Sequence, residues 1–237
     1  MTTETQESAY VDSYVVFLDI LGFSKLTELA DADPKWRVGL MDAIHSLRGT
    51  LPLEIPYNGF RATQFSDCIV ISAKRSDQAL FTVMMAANML ATNLFHLGII
   101  LRGGMARGNF QHDNQLMFGP ALVRAHSFDR RGAPPDVAID DEIIADIANS
   151  EHRMALEQWV RPDPWDLTPM LHTLHRFEFY PQRGDTSSRK DAKLYSAAIG
   201  RHASDMRVPA DVRAKWRWMQ DYWNRTVSVK GILDRSV

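Results

Sequence analysis

Two aspartates in this sequence sit in apolar surroundings. Asp19 lies inside the run FLDILGFS (residues 17–24), and Asp67 follows Ser66 in FSDCIVIS (residues 65–72). An ionised carboxylate in an apolar strand is costly unless something pairs with it. If the two acids converge, their charges repel and one pKa rises unless a cation sits between them, and a divalent metal resolves that conflict. Oxygen ligands favour Mg²⁺ or Mn²⁺ over zinc, and Mg²⁺ is commonly held by one or two carboxylates with water and substrate phosphates completing its shell. A paired set of acids therefore implies a triphosphate substrate. Leu21, Gly22 and Phe23 run directly into a predicted helix, whose N-terminal N–H groups and dipole favour anions. Gly22 permits the tight turn and close approach that phosphates need.

Cationic candidates follow further along. Arg102 and Arg107 alternate with glycines in LRGGMARGNF (residues 101–110), and Arg124 and His126 lie in a predicted helix opened by Gly119 and Pro120. Guanidinium groups suit phosphate oxygens. His172 and His175 have helical metal-ligand spacing without a third ligand in the sequence pattern, and are expected to be incidental. The single cysteine, Cys68, cannot form an internal disulfide and is expected to pack into the core.

The elements that must position these residues alternate. Residues 14–20 (YVVFLDI) read as a central strand. Ser24 is placed to cap the next helix, and residues 25–51 carry helical periodicity interrupted by the turn at residues 31–34, which predicts two helices in series. Residues 60–65 and 68–72 read as strands joined by Ser66 and Asp67, a hairpin with a carboxylate at its tip. Ser76 and Asp77 begin a strongly apolar helix ending near Leu97, and residues 99–106 return as a strand. The order β-α-β-β-α-β predicts an α+β, ferredoxin-like fold: an antiparallel-rich sheet with helices on one face. Residues 140–147 and 209–224 predict C-terminal helices, the second carrying Trp216, Trp218 and Trp223, which are expected to pack that region. Residues 181–190 read as an exposed loop.

Composition bounds the function. The 237 residues are 45% hydrophobic and 24% charged, with a net charge of −2. They are read as one domain, with a core over residues 14–140 and a C-terminal elaboration over residues 141–237. No basic run suggests a nucleic-acid partner. The first ten residues are polar rather than signal-like. The most membrane-like stretch, residues 81–101, contains Asn88, Thr92, Asn93 and His96, so a buried helix and a cytoplasmic protein without a membrane partner are expected.

Asp19 and Gly22-Phe23 after a strand, Ser66-Asp67 in a hairpin, the Arg102-Gly103 strand and Gly119 opening a helix together resemble the class III nucleotide cyclases. More narrowly, FLDILGF, FSDCIVIS and RGGMARG are similar to the bacterial pyrimidine cyclases of the Pycsar anti-phage systems. The resemblance spans residues 14–130. It implies that Asp19 and Asp67 bind two Mn²⁺ or Mg²⁺ ions per site, that Ile20 lends a carbonyl to the second ion, and that Ile20, Leu21, Gly22 and Phe23 contact the phosphates. It also implies attack of a ribose 3′-oxygen on the α-phosphorus with pyrophosphate leaving, the ions lying roughly 3.5–4 Å apart. A head-to-tail homodimer with active sites at the interface, and a separate effector that senses the cyclic nucleotide, are implied as well.

Departures from the resemblance refine it. Where purine-using relatives carry a base-reading lysine and acid, this chain has Thr63 and Leu116. Where they carry a transition-state asparagine and arginine, it has Val123 and Ser127. Arg102 or Arg124 is therefore expected to supply positive charge to the α-phosphate. Tyr57, with Arg61 second to it, is expected to narrow the base pocket beside Thr63 so that a pyrimidine fits better than a purine. UTP is the expected substrate, with CTP second. A purine cyclase and a non-catalytic nucleotide-binding module on the same fold are the alternatives.

Overall fold

The computed structural model describes residues 10–38, 41–42, 59–96, 98–129, 134–179, 186–207 and 209–227. Tyr57 lies outside them, as do residues 181–185 of the expected loop. The expected β-α-β-β-α-β unit is present: β1 Val11–Ile20, α1 Phe23–Ala32, β2 Arg61–Phe65, β3 Cys68–Lys74, α2 Asp77–His96 and β4 Leu101–His112. The sheet order begins β2-β3-β1-β4, with each of these pairs antiparallel.

β1 is apolar nearly throughout because both of its faces are covered, which explains its lack of polar alternation. Tyr14, Val16, Leu18 and Ile20 enter the main core with Leu80, Met84 and Leu90 of α2, and Phe23 and Leu26 of α1 pack against the same cluster. Val15 and Phe17 point the other way, toward Ala121 and Ala125 of α3 Pro120–Asp129. Both crossover helices thus lie on one face, and α3, which follows the unit, covers part of the other. Asp19 shares the α3 side with Val15 and Phe17 by strand alternation.

Beyond β4 the sheet continues through short strands that the sequence reading did not foresee. β5 Met117–Phe118 folds back on the end of β4, β6 Val137–Ile139 pairs parallel with it, and β8 Pro169–Leu171 and β7 Val160–Pro162 extend the sheet. The C-terminal helices are α4 Asp141–Asn149, α5 Arg153–Glu157, α6 His175–Phe179, α7 Thr186–Ser204 and α8 Ala210–Val227. Residues 186–190, expected in a loop, open α7 instead. Trp218 and Trp223 are buried with Phe95, Met170 and Phe177 in a second cluster, and Trp216 packs partly against it.

α2 is, among the described residues, the helix long and apolar enough to cross a membrane, and 72% of its apolar window is buried inside the protein. Its polar residues are satisfied within the fold. Asn88 donates to the His172 carbonyl at 2.7 Å and Thr92 to the Asn88 carbonyl at 2.9 Å, so they mark a core helix between two packed layers.

Candidate active site

Sheet register brings the chemistry together. Asp19, at the end of β1, faces Cys68 on β3 and Arg102 on β4. Asp67 occupies the two-residue turn after Ser66, whose left-handed φ of 52° reverses the chain. The Asp67 carbonyl accepts the Ile20 N–H at 2.9 Å, which ties the hairpin tip to the end of β1. Asp19, Asp67 and Cys68 can each offer a ligand atom, all within 4.8 Å of one another. Cys68 is half-buried, packed against the core cluster of Val15, Phe17 and Val70 and lying beside the acids, its Sγ 3.8 Å from Asp67.

The electrostatics are unbalanced. Arg102 Nε lies 3.0 Å from Asp19 and 2.5 Å from Asp129, the last residue of α3. Asp67 adds a third carboxylate to a place with, among the described residues, one guanidinium. Burial pushes the Asp19 carboxyl above its ordinary range against the Arg102 hydrogen bond, and Asp129 and Asp67 add to the rise. Burial and the charges of Asp67 and Asp19 push the Cys68 thiol up to about 11, so it is protonated at neutral pH. Excess negative charge on hard oxygen donors fits a divalent cation, with Asp19 and Asp67 as the residues that would hold it.

The turn behind Asp19 leads into an uncapped helix. Leu21 N–H donates to the Ile100 carbonyl at 3.0 Å. Gly22 is the N-cap of α1 in the left-handed region at φ 74°, and no side chain caps the helix there. Ser24 does not cap the helix; it lies inside the first turn, because Gly22 has already turned the chain. First-turn amides lack intrahelical partners and attract anions.

Arg124 lies elsewhere in the same chain. It donates to the carbonyl of Arg107 and to Glu142 at 3.1 Å, with Asp140 at 3.6 Å. Arg107 pairs in register with Tyr14, five residues from Asp19, or about 16 Å along the strand. Arg107 itself is engaged by Asp12 and Asp146, the latter also accepting from Tyr14 and Arg75. These residues join α4 to the far end of β1, away from the acids.

On the α3 side of the sheet, Arg61 and Thr63 precede Phe65 along β2. Thr63 bonds His112 at 2.8 Å, Ser72 bonds the other ring nitrogen at 2.6 Å, and Arg61 donates to Asn114 at 3.2 Å. Burial, then the Arg61 charge, pushes His112 down to about 4, so it is neutral. A groove of about 400 Å³ lies on this face, lined by Phe17, Phe65, Val70, Met117, His126 and Ser127 among others. Phe17 and Val70 are two residues along their strands from Asp19 and Cys68, respectively, and the acids themselves are not among the groove's lining residues. Leu116 and Val123 are exposed.

His172 and His175 lie side by side, their ring centroids 5.8 Å apart. His172 precedes α6, which His175 begins, and its buried ring bonds Tyr222 at 2.6 Å and faces Glu178 at 3.3 Å. Sequence reasoning missed Asp129 and His112. An aspartate closing a helix, where the dipole disfavours it, was the available signal for the first; a lone histidine after a long strand carried none for the second.

No protein-family model and no curated protein sequence matches the chain. Among solved structures it is similar to a bacterial light-regulated adenylyl cyclase at 21% identity and a TM-score of 0.37, over 61% of this chain and 47% of that one. A class III adenylyl cyclase-like ATP-binding protein from Pseudomonas aeruginosa matches at 12% identity and 0.37, over 57% and 34% of the two chains. An adenylate/guanylate cyclase/hydrolase from Silicibacter pomeroyi matches at 15% identity and 0.36, over 68% and 93%. The match thus spans about half the length of the light-regulated cyclase.

Proposed function

We propose that this chain is a single-domain nucleotide cyclase that converts UTP, or second to it CTP, into the 3′,5′-cyclic monophosphate and diphosphate. The observation that carries the reading is the convergence of Asp19 and Asp67, with ligand atoms within 4.8 Å, beside the uncapped N-terminus of α1. Two Mn²⁺ or Mg²⁺ ions on Asp19, Asp67 and the Ile20 carbonyl would activate the 3′-oxygen and neutralise the triphosphate. In the reaction the 3′-oxygen bonds the α-phosphorus and the bond to the diphosphate breaks.

The chain's own groups divide the remaining work. Ile20, Leu21, Gly22 and Phe23 seat the phosphates at the helix N-terminus. Arg102, already beside Asp19, supplies positive charge to the α-phosphate. The apolar groove accepts the nucleoside next to the acids. Thr63, on the same face, is bonded to uncharged His112, Leu116 offers no charge, and Arg61 is turned to Asn114. With Tyr57 as the further wall, this favours a pyrimidine over a purine that needs charged base contacts.

A head-to-tail homodimer would cover Val123, 69% exposed, and Phe118, 52% exposed, and would let Arg124 of one chain reach the acids of the other. The product would serve as a cytoplasmic second messenger read by a separate effector in anti-phage defence. Incubating purified protein with Mn²⁺ and each of the four ribonucleoside triphosphates, with products resolved by mass spectrometry, tests the reading. Cyclic UMP or cyclic CMP supports it, and cyclic AMP as the main product overturns the pocket argument. Nucleotide binding without any product supports the second reading, a regulatory module, which Val123 and Ser127 favour.

A further inference from the structure

One N–H of the guanidinium beside the acids, that of Arg102 Nε, has two claimants. Arg102 Nε carries a single N–H. It donates to Asp19 Oδ2 at 3.0 Å, while Asp129 Oδ1 lies 2.5 Å from the same nitrogen. That Asp129 oxygen is sealed from solvent and accepts no in-line hydrogen bond among the described residues. Asp129 also closes α3, where the partial negative charge of the helix end disfavours a carboxylate. Its place is nevertheless firmly set. At Gly104, two residues from Arg102 on β4, an added Cβ would come within 2.4 Å of the Phe128 ring and 2.7 Å of the Ala125 carbonyl. The end of α3 therefore sits directly on the strand that carries Arg102.

A cation bound through Asp19 Oδ2 would take the oxygen that Arg102 Nε now uses. With no other acceptor for that N–H among the described residues, Arg102 would compete with the cation. We infer that Asp129 is a positioning residue: it takes over the Arg102 N–H when a cation claims Asp19, so that metal and guanidinium occupy the site together. The inference rests on the metal reading of Asp19 and Asp67, but not on the identity of the nucleotide or the reaction.

Mn²⁺ binding is measured by loss of the free-ion electron paramagnetic resonance signal, on the full chain, for the wild type, R102Q, D129A and the double variant. Thermal melts check that each variant folds, and D129E is the conservative rescue. In the Asp129 background, R102Q should tighten Mn²⁺ binding about twofold; in the D129A background, where no side-chain acceptor is left at position 129, it should do so about tenfold, because there the Arg102 Nε–H has only Asp19 to hold. D129E should restore the small factor. An equal factor in both backgrounds means that Asp129 acts only as a distant charge, and overturns the inference. Failure of the wild type to bind Mn²⁺ overturns the metal reading itself, and the inference with it, and is told apart by the wild-type titration alone.

Discussion

Asp19 and Arg102 are register partners on β1 and β4, joined by a 3.0 Å hydrogen bond, and Asp67 approaches the same carboxylate from the hairpin tip. Without a cation, a guanidinium is the counter-charge that makes Asp19 tolerable in an apolar strand. Among the described residues one guanidinium does not balance three acids, and that excess charge fits a divalent ion.

Asp67→Asn separates the catalytic role of the acids from a structural one. It removes one of the repelling carboxylates while keeping the turn, so the metal-free protein should melt at the same temperature or up to about 3 °C higher, corresponding to about 1 kcal/mol. Mn²⁺-dependent product formation should fall at least about 100-fold, the scale of losing one electrostatic element of a reacting site. A calorimetric melt and a turnover assay on the same preparation check both; a large drop in melting temperature would mean that Asp67 mainly holds the hairpin.

His112 makes stability depend on pH. Its folded pKa of about 4 lies below the ordinary value of 6.5. Between those values the unfolded chain takes up a proton that the folded chain refuses, so stability falls as pH drops from about 6.5 toward 4 and levels off below. The difference between pH 7.5 and pH 5 should be about 2 kcal/mol. Urea unfolding at the two pH values should show this decrement in the wild type and lose it in His112→Gln.

Gly104→Ala tests the seat of α3. The new methyl would meet the Phe128 ring at 2.4 Å and the Ala125 carbonyl at 2.7 Å. Overpacking of this kind costs about 1–3 kcal/mol. The displaced helix end carries Asp129, so Mn²⁺ affinity should fall together with the urea midpoint. Unchanged stability would show that α3 lifts away freely.

Val123→Asp addresses the dimer. The residue is exposed in the single chain, so the change should alter folding stability by no more than about 0.5 kcal/mol. Burying the new charge across a homodimer interface is costly. Light scattering should report half the wild-type mass, and turnover should fall with it. Retention of the wild-type mass would place the interface elsewhere.

What was legible in the sequence was local. The apolar run of residues 14–20, the two-residue break at Ser66 and Asp67, and the long apolar helix each carry their own periodicity or turn chemistry, and they determine the β-α-β-β-α-β order. β6, β7 and β8 are three residues each, too short to hold a period; β6 takes the edge that β4 offers, β8 adds to β6 and β7 to β8. Ser24 looked like a cap by residue type; the left-handed backbone at Gly22 decided otherwise. The pairing of Asp19 with Asp67 follows from topology that the sequence implied. The contact of Arg102 with both Asp19 and Asp129 joins three elements distant along the chain, and the burial that silences His112 comes from β4 and β2 meeting over Ser72. A sequence specifies which residues can carry charge. Only packing decides which charges share a donor, because that depends on register and on how closely a helix can approach a strand at Gly104.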